Sequence, residues 1–384
     1  MMAFNWVSFF RQPNLNRPVP RQKPEPQAPK IESCKPILVS LDLDRTLIPW
    51  TKERISYDKT AFLKYQHTLQ DPALKQDTFV VLNTGRGLKS TRHLAPLLAR
   101  VPFDAIALND GQQLFIKPKL NAKFHPIEAN SQWLRRLTSK QADPHWRKEL
   151  KGWSTTAVLK DIRAVLPDLD FEEESIPRQP SHRFGTRNSY VFTKPASLWK
   201  DAEKDCWAIS VVPDQAYLEI KRVGKKTTEA ETRHYAKVMG RVLQYHLAED
   251  WPNFDYKVYS TANRCLLHIT PKKTDKAALV NYLANHRLTN QPKAIISAGD
   301  NVNDIPILSA HQLGEIPNYP ILLGRDPKTK IALSNKPSHN LENVGWNQLN
   351  VGIEKQVRKI RPLLSPPAPP EISSPQRHRL NQFA

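Results

Sequence analysis

Cysteine is scarce in this sequence. There are three in 384 residues, Cys34, Cys206 and Cys265, odd in number, far apart and without metal-ligand spacing. That argues against a disulfide framework and makes a reducing cytoplasm the expected compartment. No apolar run of about 18 residues or more occurs, so no membrane span is predicted. The first ten residues are apolar and aromatic, but no basic residue precedes Arg11. A long apolar core and a small-residue cleavage site are also missing, which argues against a secretory signal. The aromatics Phe4, Trp6, Phe9 and Phe10 amount at most to a short interfacial anchor. Internal repeats are absent. With 39% hydrophobic residues and a mean hydropathy of -0.56, the chain reads as a soluble protein large enough for one large or two modest domains.

What the sequence has in excess is positive charge, +20 in total. Residues 1–35 and 351–384 each hold six Lys/Arg against two Glu, +4 apiece, which leaves +12 for the body. A positive body attracts anions, and both phosphorylated metabolites and nucleic acid answer that description. The two ends are proline-rich: six prolines lie in the first 30 residues, and Pro366-Pro367-Ala368-Pro369-Pro370 lies near the end. They read as disordered tails. Binding to a proline-recognising partner is the alternative, and no particular partner is indicated.

The body opens with Pro36-Ile37-Leu38-Val39-Ser40-Leu41, a short apolar run that reads as a strand buried on both faces. Thr78–Leu82 and Lys293–Ala298 are two more such runs. Leu94, Leu97 and Leu98 share a helical face after the second run, and Leu279, Tyr282 and Leu283 share one before the third. Strands alternating with helices predict a parallel, Rossmann-like α/β sheet covered on both faces. The stretch 112–265 differs. It mixes strand-like runs (189–192, 208–212, 257–259) with helical patterns near 155–166 and 229–247, and reads as an inserted α+β domain. The expected division is therefore an arm over 1–35, core over 36–111, insert over 112–265, core over 266–350 and a tail over 351–384.

Three of the predicted core strands run directly into polar clusters. Asp42-Leu43-Asp44-Arg45-Thr46 follows the first, and strand alternation puts Asp42 and Asp44 on one side. Two carboxylates brought together need a cation or a shared proton, and magnesium prefers such oxygen ligands. An acidic strand end that merely caps the next helix is the simpler alternative for this string alone. Asn83-Thr84-Gly85-Arg86 follows the second strand; a hydroxyl and free N–H groups there suit phosphate, although an ordinary helix-start turn has the same look. Gly299-Asp300-Asn301-Val302-Asn303-Asp304 follows the third strand as a second acidic cluster, and a helix cap alone needs only one of its acids. Lys276 opens the helix before that strand, where it would reach the site or stay solvated beside Lys272 and Lys273.

These pieces, in this order, resemble the four motifs of the haloacid dehalogenase superfamily. Asp42–Thr46 resembles the first motif, Thr84 the second, Lys276 the third and Gly299-Asp300 with Asn303-Asp304 the fourth. Asn83-Thr84-Gly85-Arg86 is similar to the S-T-G-R form of the second motif. Ala107-Leu108-Asn109-Asp110-Gly111 resembles the N-G element ahead of the cap in the Cof-type and sucrose-phosphate-phosphatase-like branch, whose C2-type cap sits between the second and third motifs. Arg45 and Ala277 stand where a small residue and a glycine are usual.

The resemblance implies an Mg2+-dependent phosphomonoester hydrolase. In that reading Asp42 is the nucleophile and Asp44 the acid and base. The ion is held by the Asp42 carboxylate, the Asp44 backbone carbonyl and Asp300, with Asp304 orienting them from behind. Thr84, Gly85, Lys276 and Asn303 hold the phosphate. The cap selects a small phosphorylated substrate, expected to be a sugar phosphate; its basic residues Arg183, Arg187, Lys221 and Arg222 suit an anion, but individually each reads first as solvated surface. Two other readings stay open: phosphatase activity on a protein or nucleic-acid phosphate, and a basic nucleic-acid-binding protein on the same scaffold.

Overall fold

The computed structural model describes residues 30–50, 56–118, 126–173, 190–195, 206–211, 215–223, 228–261, 264–324, 327–334 and 340–364. Residues 1–29 and 365–384, which hold the aromatic start and most of the proline-rich tails, lie outside this set, as do Arg183 and Arg187.

Two sheets organise the described residues. The strands are β1 (Ile37–Leu41), β2 (Thr78–Asn83), β3 (Ala105–Leu108), β4 (Gln113–Ile116), β5 (Glu172–Glu173), β6 (Tyr190–Pro195) and β7 (Cys206–Val211). They continue with β8 (Tyr217–Val223), β9 (Phe254–Thr261), β10 (Arg264–Pro271), β11 (Ala294–Gly299), β12 (Gln312–Leu313), β13 (Ile316–Leu323) and β14 (Glu342–Val344). The first sheet runs in the order β12-β13-β11-β1-β2-β3-β4, with β14 also paired to β13. Its centre, β13-β11-β1-β2-β3, is parallel. All five residues of β1 are buried, as are all six of β2 and of β11. Leu38 packs into one apolar cluster and Ile37, Val39 and Leu41 into another, so both faces of the sheet are covered. This double burial is why the strands read as unbroken apolar runs.

Register is what makes a site of three separate motifs. Leu41 stands opposite Leu82 on one side and Ala298 on the other. The three strands therefore end together, and the chain leaves each at the same edge of the sheet. Open α/β sheets gather ligands at this carboxyl edge.

The second sheet is antiparallel, in the order β5-β6-β7-β8-β10-β9. Helices Thr155–Val165 and Glu229–His246 supply Val158, Leu159, Ile162, Ala236, Met239 and Leu243 to the apolar cluster that also contains Ile209, Leu218, Ile220 and Leu267 from this sheet. The expected mixed α+β insert is thus present as a separate sheet with its own helices.

Its limits differ from the expected 112–265. β4 pairs antiparallel with β3, and helix Pro126–Arg136 packs Leu134 into the first sheet's cluster, so both belong to the core. At the other end β10 continues the second sheet to Pro271. Nothing local marks these boundaries, because a strand does not announce which sheet it joins.

The expected tail over 351–384 also needs correction. Helix Leu349–Leu364 buries Leu349, Ile353, Val357 and Ile360 against the core. Their spacing is one helical stripe, and Lys355, Arg358, Lys359 and Arg361 cover the exposed face. The charge count hid that stripe. Residues 30–35 likewise join the fold, since Ile31 bridges to Leu288 and Lys35 pairs with Asp104 at 3.0 Å. The single helix expected around Leu94–Leu98 is two, Leu88–His93 and Ala95–Leu98, with Pro96 in the first turn of the second. No helix among the described residues is long and apolar enough to cross a membrane.

One buried ion pair fastens the start of the insert to the core. Arg287 Nη2 donates to Asp143 Oδ2 at 2.6 Å, and Asp143 Oδ1 caps helix Pro144–Glu149 by accepting from His145 and Trp146 N–H. Both side chains are buried, and breaking such a pair leaves a charge uncompensated. Arg287→Ala is expected to cost about 3–5 kcal/mol in chemical denaturation; a loss below about 1 kcal/mol would contradict that account.

Candidate active site

Asp42 is fixed one residue past β1 by its N–H, which donates to the Ala298 carbonyl at 3.0 Å and extends the parallel ladder. The chain then turns back on itself. Leu47 N–H reaches the Asp42 carbonyl, Ile48 N–H the Leu43 carbonyl and Arg45 N–H the Ile48 carbonyl, with Arg45 at φ 62°. That left-handed residue lets the loop close tightly, and it occupies a position where a side chain other than glycine is strained. The turn sends the two carboxylates apart. Asp42 is 7% exposed and faces inward. Asp44, with a side chain 40% exposed, stands at the mouth.

The inward cluster forms around Lys276, which is 2% exposed. Its Nζ donates to Asp42 Oδ1 and to Asp304 Oδ1, both at 2.6 Å, and lies 3.6 Å from Asp110 Oδ1. The helix that carries it starts at a strong cap, Asp275, whose carboxylate accepts from Ala278 N–H at 2.9 Å. Asp304 uses its second oxygen to accept from Asp300 N–H and Asn301 N–H, each at 3.0 Å. With both oxygens committed, Asp304 orients its neighbours. Thr46 Oγ1 lies 3.4 Å from Asp300 Oδ1.

Gly299 makes this packing possible. A Cβ there would lie 2.4–2.6 Å from the Asp304 Cβ, Cγ and Oδ2 atoms. Gly299→Ala must displace Asp304 and, through it, Lys276 and the Asp300 backbone. A fall in turnover of about 100-fold is expected, the scale of ångström-level misplacement. Steady-state kinetics showing less than a twofold change would refute it.

On the second strand end, Asn83 Nδ2 donates to the Lys276 carbonyl at 3.2 Å, and Thr84 is fully buried. Thr84 Oγ1 accepts from Arg86 N–H at 3.2 Å. Arg86 holds Asp44 from two atoms, Nε to Oδ2 at 2.7 Å and Nη2 to Oδ1 at 2.6 Å. Trp50 Nε1 donates to Asp44 Oδ1 at 2.7 Å. Asn303 Nδ2 donates to Asp110 Oδ1 at 3.0 Å, while its own Oδ1 is buried without a hydrogen bond among the described residues.

The structure therefore brings Asp42, Asp300, Asp304, Lys276, Thr84, Gly85 and Asn303 around one edge of the sheet, and places the Asp44 carboxylate beside Arg86 and Trp50 instead of in the acidic cluster. Sequence reasoning did not single out Asp110, Arg86, Trp50, Tyr217 or His268 for the site. Asp110 carried a signal, its place in an Asn-Asp-Gly turn, and Arg86 lay within a quoted motif. Tyr217 and His268 come from the second sheet and have no local signature.

Charge is unbalanced here. Asp42, Asp110, Asp300 and Asp304 are all buried around a single buried lysine. Burial pushes the Asp42 carboxyl well above its ordinary value; Lys276 opposes this, and Asp304, Asp300 and Asp44 add to it. Burial, reinforced by Asp304, pushes Asp300 up to about 8. Lys276 is moved the other way. Burial works against its charge, but Asp304, Asp42 and Asp110 outweigh that and raise it well above the ordinary lysine value. Ligand oxygens of Asp42, Asp300 and Asp304 lie within 4.8 Å of one another. Surplus buried negative charge on clustered hard oxygen donors fits a divalent cation such as Mg2+.

Residues 199–315 match the family of haloacid dehalogenase-like hydrolases. That match spans the part of the chain that supplies Lys276, Asp300 and Asp304 to the cluster at the sheet edge. Among curated proteins none matches the chain. Solved structures similar to it include the sucrose-phosphatase of Synechocystis sp. PCC6803 in complex with sucrose and phosphate, at 14% identity and TM-score 0.45, covering 85% of this chain and 98% of that one. A haloacid dehalogenase-like hydrolase protein from Bacillus subtilis matches at 13% identity and TM-score 0.46, over 87% of this chain and 95% of that one. The C-terminal domain of trehalose-6-phosphate phosphatase from C. albicans matches at 12% identity and TM-score 0.36, over 86% and 93%.

Proposed function

We propose that the chain hydrolyses phosphomonoesters of small metabolites, with a sugar phosphate as the expected substrate, through an aspartyl-phosphate on Asp42. The supporting observation is the placement of Asp42 at the aligned strand ends, held by Lys276 with Asp300 and Asp304 beside it.

In this reading an Asp42 oxygen attacks phosphorus and the ester P–O bond breaks. Asp44 gives its proton to the leaving oxygen, releasing the alcohol. Asp44, now a carboxylate, takes a proton from water, whose oxygen attacks phosphorus; the Asp42–phosphorus bond breaks and inorganic phosphate leaves. Arg86 and Trp50 fix Asp44 at the mouth, where the leaving group must stand. Lys276, Thr84, the Gly85 N–H and Asn303 supply donors for the phosphoryl oxygens, where transition-state charge collects. Asp42, Asp300 and the Asp44 backbone carbonyl would hold Mg2+, which offsets repulsion between the carboxylates and the phosphate. Asp304 keeps Asp300 and Lys276 in place.

The second sheet limits access. Tyr217 reaches from β8 to Asp110 beside Gly85, leaving Asp42 mostly enclosed. This favours a small substrate. The body's positive charge suits an anionic one.

The test is a screen of sugar phosphates, other phosphorylated metabolites, a phosphopeptide and a 5′-phosphorylated oligonucleotide, each with Mg2+. Turnover of small esters is the expected result. Turnover confined to the peptide or oligonucleotide would overturn the substrate class. Salt-sensitive nucleic-acid retention with no turnover would overturn the activity.

A further inference from the structure

We propose that Asp110 is a positioning residue that anchors Lys276 and Asn303 and makes their placement depend on the docked second sheet through Tyr217. The inference rests on the reading of Lys276 and Asn303 as phosphate-binding donors.

Asp110 sits in the turn between β3 and β4, where Asn109, Asp110 and Gly111 take φ values of 53°, 54° and 91°. Two consecutive left-handed residues other than glycine are strained and persist only where surrounding contacts fix them. Those contacts tie the turn to the second motif: Asp110 N–H donates to the Thr84 carbonyl at 2.9 Å, and Asn109 N–H to the Arg86 carbonyl at 3.0 Å. The outcome is a buried carboxylate facing four elements at once. Oδ1 accepts from Asn303 Nδ2 and stands 3.6 Å from Lys276 Nζ. Oδ2 accepts from the Tyr217 hydroxyl and stands 3.7 Å from His268 Nε2.

His268 does not share the load. Gln112 Oε1 accepts from Trp153 Nε1 at 2.9 Å and Thr155 Oγ1 at 2.8 Å, which fixes the orientation of its amide. Gln112 Nε2 then donates to the Ile269 carbonyl at 2.7 Å and to His268 Nε2 at 3.1 Å. His268 Nε2 is therefore an acceptor, and the ring is neutral with its proton on Nδ1. Burial also pushes its value down to about 4, against the pull of Asp110. A neutral acceptor gives Asp110 nothing. What His268 does is stack on Tyr217, with ring centroids 4.5 Å apart and planes at 18°, which holds the phenol in place. Tyr217 is thus the hydrogen-bond donor from the second sheet to Asp110 among the described residues. Burial raises the Asp110 carboxyl, but the Lys276 charge and the hydrogen bonds from Tyr217 and Asn303 outweigh it and hold it below its ordinary value. Ala216 N–H, beside Tyr217, also lies 3.4 Å from Asn109 Oδ1, so this corner of the second sheet meets the turn twice.

If the sheet withdraws, Asp110 loses Tyr217 and with it one of the contacts that hold the strained turn. Lys276 and Asn303 then lose a fixed anchor.

The experiment compares wild type, Asp110→Asn, Tyr217→Phe and the double variant. It reads kcat and KM on p-nitrophenyl phosphate with Mg2+, and the Kd of inorganic phosphate by calorimetry. Asp110→Asn is expected to lower kcat by about 100-fold and to weaken phosphate binding by about tenfold. Tyr217→Phe, which keeps the stacked ring, is expected to lower kcat by about tenfold and to add nothing in the Asp110→Asn background. A role limited to local packing would give multiplicative effects and an unchanged phosphate Kd, and either result overturns the inference. Should Asp110→Asn fail to fold, an unchanged kcat and phosphate Kd in Tyr217→Phe overturns it alone. Wild type that neither turns over the ester nor binds phosphate overturns the phosphatase reading, and this inference with it. Wild type that does both, with variants that match it, overturns only the inference.

Discussion

Asp42→Asn is expected to reduce turnover of p-nitrophenyl phosphate by at least about 10⁴-fold, the scale seen when a covalent nucleophile is removed. The amide has nearly the shape of the carboxylate, and its oxygen can still accept from Lys276, so the fold should survive. Stability should even improve without added metal. Burial holds the Asp42 carboxyl well above its ordinary value, which means that its charged form is unfavourable in the folded protein at neutral pH. A neutral amide removes that burden and also lessens repulsion with Asp300 and Asp304. The expected record is near-zero turnover with an unfolding midpoint equal to or above wild type. Activity within tenfold of wild type would end the assignment of Asp42 as nucleophile.

Chelation should have the second-largest effect. Without a divalent cation, turnover is expected to fall below about 1% of the Mg2+-supplemented rate, since charge neutralisation at such a site amounts to several kcal/mol of barrier. The same site makes a prediction free of activity. Asp300 is raised from an ordinary 3.8 to about 8. A carboxyl raised in the folded state contributes stability that is fully present below the unfolded value and lost as pH rises through the folded one. Metal-free protein should therefore lose stability from this group between about pH 4 and pH 8. Mg2+ must displace the proton to bind, so its affinity should climb over the same interval. At about 100 times Kd the ion adds about 2.7 kcal/mol. The rise in unfolding midpoint on adding Mg2+ should be clearly larger at pH 8 than at pH 6. Equal rises at both would show that Asp300 does not take part in holding the ion.

The motif residues were legible because each follows a run whose burial is written in its composition. β1, β2 and β11 lie within a residue of where apolar content puts them, and Asp42, Thr84 and Asp300 leave their ends. The helices Thr155–Val165 and Glu229–His246 showed through their 3.6-residue stripes. The C-terminal helix has an equally good stripe, but the surrounding prolines and lysines drew the reading toward a tail. Membership of β4 and β10 in their sheets was not readable, because pairing partners are chosen by contacts distant in sequence.

The fate of Asp44 shows the same limit inside the site. Strand alternation puts Asp42 and Asp44 on one side, yet the strand has ended by Asp42 and the left-handed Arg45 turns the loop. Asp44 consequently meets Arg86 and Trp50 and not Asp300.

By itself the sequence determined the parallel core, the insertion of a second sheet, and the acids and lysine that gather at the strand ends, since these depend on local apolar content and on residues a few positions apart. Only the tertiary structure decided where the insert begins and ends, which carboxylate faces inward, and that Tyr217 and His268 of the second sheet meet Asp110 of the core. Such contacts join residues more than 100 positions apart. They arise from the packing of one sheet against the other, and no local pattern in the chain encodes them.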